Sequence, residues 1–318
     1  MKLIHNNNSL PFETPKYAQL LCCYDPERTA LWCYFNPKPR PSFNPTMLRE
    51  MRDLQKRLAA YLNSGNGASP IHYFVYASAS PDVFNLGGDV NLFAQLITER
   101  NRDALSDYAR LCIDVVYANA VNCGIPDLTT IALVQGSALG GGFECALSCN
   151  TVIAEESAEM GFPEILFNLF PGMGAMSFLS RRINLSQAER LVQSGKMYSG
   201  RSMWEMGAIE ELGNDGEGVY ELNNFIRRHQ RSANGRLAIR QASKRIAPLT
   251  YQELLDIVEL WVDATLRITP RDLRMMSKIV AAQNRLDAQS ADRTDVEETA
   301  STPMHQVKTG TELAVVHA

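Results

Sequence analysis

The chain is predicted to fold as an α/β protein, and two features of its sequence carry that prediction. Short apolar strand-like runs alternate with longer helical patterns through the first two thirds, which is the signature of layered strands and helices. From about residue 173 the pattern turns helical, ending in two amphipathic segments. The chain has 318 residues, 45% hydrophobic and 21% charged, so it holds enough apolar material for a full core.

The elements follow in order. Tyr17–Tyr24 and Ala30–Phe35 flank the polar turn Asp25–Arg28 and read as a β-hairpin. Pro37, Pro39 and Pro41 mark a loop. Asn44-Pro45 then reads as a helix cap followed by proline at the first helical position, with Met47, Leu48, Met51, Leu54, Leu58 and Leu62 on one face. After the loop Ser64–Ser69, Ile71–Ala77 is a buried strand. Helices are expected over Val90–Glu99 and Arg102–Val121, and a second buried strand over Thr129–Val134. A glycine turn, Gly136–Gly142, leads into a short helix, Phe143–Cys149, and a strand, Thr151–Ala154. Thr250 and Glu253 form a capping-box pattern opening a helix that carries Leu254, Leu255, Val258, Trp261 and Val262 on one stripe. Thr269-Pro270 opens another, with Leu273, Met276, Ile279 and Val280. Beyond about Leu286 the composition turns polar and aperiodic, so 289–318 reads as a mobile tail.

Composition excludes several classes. A net charge of −4 gives no footprint for nucleic acid or an anionic membrane. No run of about 18 apolar residues is present to span a bilayer. MKLIHNNNSLPFETP carries no apolar stretch and does not read as a secretory signal. The seven cysteines, Cys22, Cys23, Cys33, Cys112, Cys123, Cys145 and Cys149, show no CxxC spacing and read mostly as small buried apolar residues of a reducing cytoplasm. The five histidines are scattered, so no metal centre is expected.

Three local features could carry chemistry. Ala138-Leu139-Gly140-Gly141-Gly142-Phe143-Glu144 places glycines after a strand and at the start of a helix, where backbone N–H groups are unpaired and electropositive. That is the architecture of an oxyanion hole, with Glu144 one turn into the same helix. Phe84-Asn85-Leu86-Gly87-Gly88-Asp89 is a second glycine turn, able to supply a second donor. Gly161-Phe162-Pro163-Glu164 sets a carboxylate in an apolar stretch. Taken singly, each has a plain structural explanation: a strand-to-helix connector, a first-turn acid favoured by the helix dipole, an exposed loop carboxylate. No Lys-Ser/Thr follows the glycines, and they do not form G-x-G-x-x-G, so neither nucleotide motif applies.

In combination the pattern is far more specific. Gly136-Ser137-Ala138-Leu139-Gly140-Gly141-Gly142-Phe143-Glu144, then Phe162-Pro163-Glu164-Ile165, then Phe170-Pro171-Gly172-Met173-Gly174 resembles, in order and spacing, the core of the crotonase (enoyl-CoA hydratase/isomerase) superfamily. The resemblance covers roughly residues 17–215. It implies a spiral of ββα units with a C-terminal helical region, dividing the chain into a core over 1–215, helices over 216–288 and the tail. It also implies that the N–H groups of Gly88 and Gly141 are oxyanion donors and that Glu144 and Glu164 are an acid/base pair. Which of the two is acid and which base stays open.

Within that superfamily, Val83–Asp89, Ala154-Glu155-Glu156, Pro163–Ala175 and Leu260-Trp261-Val262-Asp263 look like diffusible signal factor (DSF) synthases, a likeness that reaches to about residue 286. Those bacterial enzymes dehydrate 3-hydroxyacyl thioesters of acyl carrier protein to cis-2-enoyl thioesters and also hydrolyse the thioester, releasing unsaturated fatty-acid signals. The resemblance implies an acyl-carrier-linked substrate, no cofactor, a signalling protein as a further partner, and a homo-oligomer, trimer or dimer of trimers. It places Trp261 by the acyl pocket, and Met173 of the Pro171-Gly172-Met173-Gly174 turn is expected to line the acyl end of the site with it. One departure from CoA-using relatives concerns the stretch after the Gly-Asp turn. Here it is Asp89-Val90-Asn91-Leu92-Phe93, without the lysine that lies near the CoA phosphates. The alternatives are an ordinary enoyl-CoA hydratase or isomerase and a crotonase-shaped protein that only holds a signalling partner.

Overall fold

The computed structural model describes residues 9–38, 40–65, 69–80, 82–279 and 281. Pro39, Val280 and the polar tail lie outside them.

The hairpin forms from β1 (Leu20–Asp25) and β2 (Ala30–Phe35), antiparallel with Leu20 opposite Phe35. Asp25 Oδ1 accepts the amides of Glu27 and Arg28 at 3.1 and 3.2 Å, which fixes the turn. α1 (Pro45–Asn63) starts where Asn44 Oδ1 accepts the Met47 amide at 3.0 Å. Then come β3 (Tyr73–Ser78), β4 (Val83–Asn85), α2 (Val90–Thr98) and α3 (Arg102–Ala120). The pattern recurs as β5 (Thr129–Val134), β6 (Ser137–Leu139) and α4 (Gly141–Ser148). It recurs again as β7 (Thr151–Glu155), β8 (Glu159–Gly161), a 3₁₀ turn at Glu164–Phe167 and α5 (Ala175–Leu179). Each unit gives one strand to each of two sheets and then a helix, so the expected ββα spiral is present.

The remaining elements are α6 (Leu185–Ser194), β9 (Met197–Ser199), α7 (Gly200–Glu205), β10 (Glu211–Gly213), α8 (Gly218–Arg231), α9 (Ala233–Ile246), α10 (Tyr251–Thr265) and a last helix, α11, over residues 270–279. The larger sheet runs β1-β2-β3-β5-β7-β10 and the smaller β4-β6-β8-β9. The three-residue strands β4, β6, β8, β9 and β10 are not legible as strands, and two of them interrupt the region expected to be helical throughout. They are too short to show a period and are held by sheet pairing alone.

The long strands β2, β3 and β5 are buried at every position because helices cover both faces. On one face, α1, α3 and α4 build the main core around Phe35, Met51, Phe74, Ile113 and Phe143. On the other, Leu222, Phe225 and Ile226 of α8 pack on Trp32, Val75, Ile131 and Ile153. A buried polar chain runs through the first of these faces: Gln55 Nε2 reaches Tyr76 Oη at 3.1 Å and Asn119 Oδ1 at 2.9 Å, and Asn119 Nδ2 donates to Ser148 Oγ at 3.0 Å. It ties α1 and α3 to the last residue of α4, and so fixes the helix that carries Glu144. Among the described residues, no helix is long and apolar enough to cross a membrane.

α10 returns to pack on α3. Thr250 caps it, accepting the Glu253 amide at 3.0 Å, but the expected capping box is only half formed. Glu253 turns outward instead, and both its oxygens accept from Arg181 at 2.8 Å. Arg181 also donates to the carbonyls of Ser177 and Pro248 at 2.8 and 2.6 Å. This fork locks α10 to the end of α5. Arg181→Ala is therefore expected to lower stability by about 1.5–3 kcal/mol in urea unfolding. Arg181→Lys, which cannot make the bidentate contact, should recover only part of the loss.

Candidate active site

Parallel pairing of β4 with β6, and of β6 with β8, brings the carboxyl ends of these strands together. The two glycine turns leave those ends and meet backbone against backbone. A Cβ on Gly87, whose φ is +89°, would stand 2.9 Å from the Gly141 nitrogen, and one on Gly142 would stand 2.0 Å from the Asn85 carbonyl oxygen. Only glycine allows this contact. Neighbouring amides are engaged: Gly140 donates to the Gly161 carbonyl at 2.9 Å and Asp89 to the Tyr108 hydroxyl at 3.3 Å. The Gly88 and Gly141 amides donate to no described residue, and both residues line one cavity.

Glu144 and Glu164 line the same cavity. Glu144 sits in the first turns of α4, 1% exposed, and its Oε1 accepts the Ala175 amide at 2.9 Å. Burial, then the neighbouring Glu164 charge, hold its carboxyl well above the usual range, against the pull of backbone donors at Ala175, Met173 and Gly174. Glu164 opens the 3₁₀ turn, and its Oε1 fills the space a Cβ on Gly140 would take. Its Oε2 is shut off from solvent and has no hydrogen-bond partner. Burial pushes its carboxyl up to about 7. So Glu164 is not the exposed loop acid that its local sequence alone allows.

Apart from these groups the cavity is lined mainly by apolar side chains, as ligand sites commonly are. Met173 stands beside Gly141. Trp261 of α10 lies against Gly172, with its ring 5.2 Å from that of Phe93. Phe93 in turn meets Tyr108 edge-on at 5.0 Å. Met276 and Ile279 of α11 complete one wall. All six residues singled out from the sequence are thus brought together: Gly88, Gly141, Glu144, Glu164, Met173 and Trp261. Phe93, Tyr108 and Cys112 were not singled out, because on an amphipathic helix a cavity-lining residue carries the same signal as a core residue. No lysine or arginine lines the cavity, and no group of metal-binding side chains is assembled among the described residues.

Comparison with known proteins agrees with this fold. The family model described as enoyl-CoA hydratase/isomerase matches residues 35–254. An enoyl-CoA hydratase from Bacillus halodurans superposes with a TM-score of 0.67 at 19% identity, covering 82% of this chain and all 100% of that one. An enoyl-CoA hydratase from Mycobacterium avium subsp. paratuberculosis gives 0.64 at 18% identity, covering 84% and 96%. DspI of Pseudomonas aeruginosa gives 0.59 at 24% identity, covering 73% and 82%.

Glu164 makes stability depend on pH. Its folded value, about 7, lies above its ordinary 4.5, so the folded state holds the proton more tightly. The stabilisation is present below the ordinary value and is lost as pH rises through the folded one. Glu164→Gln lacks that loss. Its urea midpoint should gain on the parent's between about pH 5 and about pH 8; a difference that stays constant would show that Glu164 does not titrate there.

Proposed function

Because the chain belongs to the enoyl-CoA hydratase/isomerase family, the crotonase superfamily, we propose that it dehydrates a 3-hydroxyacyl thioester to a cis-2-enoyl thioester and then hydrolyses the thioester, in the manner of DSF synthases. The observation that carries the reading is the convergence of two uncommitted amides, Gly88 and Gly141, and two carboxyls, buried Glu144 and half-buried Glu164, on one apolar cavity.

On this reading the thioester oxygen lies between the two amides. Charge develops on it as the α-proton leaves, and each aligned donor lowers that barrier by about 3 kcal/mol. Glu164 is the group able to exist as carboxylate near neutral pH, with an unpartnered oxygen. It takes the α-proton. Glu144, held protonated by burial and by its neighbour's charge, gives its proton to the departing 3-hydroxyl, which leaves as water. The double bond forms as the C–O bond breaks. Hydrolysis then adds water across the same polarised carbonyl, yielding free acid and carrier thiol.

Two features favour a carrier-protein thioester over CoA. No cation stands in Val90–Phe93 after the Gly88-Asp89 turn, and none lines the cavity among the described residues. The family model supports the second reading, an enoyl-CoA hydratase of general fatty-acid metabolism. Incubation with 3-hydroxydodecanoyl groups on CoA and on carrier protein separates them. Release of cis-2-dodecenoic acid from the carrier-linked substrate supports the first reading. Reversible hydration confined to the CoA thioester, without free acid, supports the second.

Glu144→Gln and Glu164→Gln are each expected to fold and to lose about 10²–10⁴-fold in dehydration rate. In the parental enzyme kcat/KM should rise through pH 7 as Glu164 ionises, and the Glu164→Gln residual rate should lack that limb. Trp261→Ala should shift released acids toward longer chains, read by mass spectrometry. A lowered Tm with an unchanged chain-length distribution would leave Trp261 as core alone.

A further inference from the structure

The first glycine turn presents four successive amides, and three are already engaged. Leu86 donates to the Pro41 carbonyl at 2.7 Å, Gly87 to Asn85 Oδ1 at 2.8 Å, and Asp89 to the Tyr108 hydroxyl at 3.3 Å. Gly88 alone among them remains for a ligand, so the orientation of its N–H decides whether the turn can polarise a carbonyl.

That orientation is not secured by glycine. Gly87 has φ +89°, and with no Cβ it can rotate, carrying the peptide plane that holds the Gly88 N–H. Something outside the two glycines must hold Gly87. Two groups do so: the Phe43 amide donates to the Gly87 carbonyl at 2.7 Å, in the peptide unit that carries the Gly88 N–H, and Asn85 Oδ1 holds the N–H on the other side of the Gly87 Cα. The Asn85 side-chain oxygen must face the Gly87 N–H, since an amide nitrogen cannot accept there.

A plain turn-forming asparagine would not be built this way. Asn85 is 0% exposed, and its Nδ2 is buried with no partner. An orphaned buried donor is unfavourable, and such groups call for an explanation. The cost falls on the nitrogen, while the oxygen is used. Asn85 also borders the second turn: it pairs with Ala138 across β4 and β6, and its carbonyl abuts Gly142. Its side chain fixes one turn while its main chain sets the distance to the other.

We infer that Asn85 is a positioning residue for the oxyanion donors: by accepting the Gly87 N–H, while the Phe43 amide holds the Gly87 carbonyl, it fixes Gly87 from its second side and so aims the Gly88 N–H into the cavity alongside that of Gly141. The inference rests on the thioester reading above. It assigns Asn85 no contact with substrate; its effect on rate passes through the backbone it holds.

The test uses a 2,4-dienoyl pantetheine thioester, whose absorption moves to longer wavelength when its carbonyl oxygen is polarised. The parental protein should bind it with such a shift. Asn85→Ala and Asn85→Val, which remove the acceptor, should lose most of the shift. Their kcat for dehydration should fall by about 10- to 100-fold, with KM changed by no more than about threefold. Asn85→Ser, whose hydroxyl can accept within its own turn, should restore much of both. A lowered Tm alone is what a merely structural residue would give. A full parental shift in either deletion variant that folds overturns the inference. Binding without any shift in the parental protein itself would instead remove the thioester reading, and this inference with it.

Discussion

The contact on which the site depends is between two stretches of backbone. Gly87 meets Gly141, and Asn85 meets Gly142, at distances that leave no room for any side chain. The parallel pairing of β4 with β6 makes that approach possible, and the layered core behind the strands holds it. Backbone donors placed this way need no reorganisation when charge develops in front of them. The polar chain from Gln55 through Asn119 to Ser148 belongs to the same constraint, because it fixes α4 and with it one donor and one carboxyl.

Burial then gives the two carboxyls different characters. Both are raised by desolvation, but their partners differ. Glu144 has a backbone donor on Oε1 and a second acid nearby; Glu164 has a free Oε2. Two such groups do not readily ionise together in an apolar site, so the pair divides into one that carries the proton and one that can receive it. The division comes from environment alone, since the side chains are chemically identical.

Much of this was legible in the sequence, for physical reasons that can be named. Long strands and helices show their periods, so α1, α3, β5 and α10 are placed to within a few residues. The glycine runs mark the turns because no other residue permits the approach. The short strands β4 and β6 were hidden at those same runs, and β8 just before Phe162: three residues carry no period, and their pairing is a tertiary fact. Glu253 fitted a local capping pattern, yet a bidentate arginine just after α5 outcompeted the helix for its carboxylate. Asn85 stood beside the glycines of the first turn but gave no sign that its side chain accepts the Gly87 N–H, because that contact depends on the fold of the turn. Phe93 and Tyr108 were invisible as site residues, because an aromatic facing a cavity and one facing a core share the same helical spacing.

The walls and the chemistry are therefore one problem. Trp261, Phe93, Met173 and α11 enclose an apolar space that suits an acyl chain on the proposed reading. The same enclosure lowers the local dielectric. That raises Glu164 to about 7, where it can both gain and lose a proton under neutral conditions. It also strengthens the pull of the two free amides on a carbonyl. A more polar cavity would hydrate the carboxyls, return both toward the usual range and weaken the amides together. α10 and α11 thus set the electrostatics of residues that lie more than eighty positions before them in the chain, which is why an enclosing helix here bears on proton transfer as much as on the shape of the substrate.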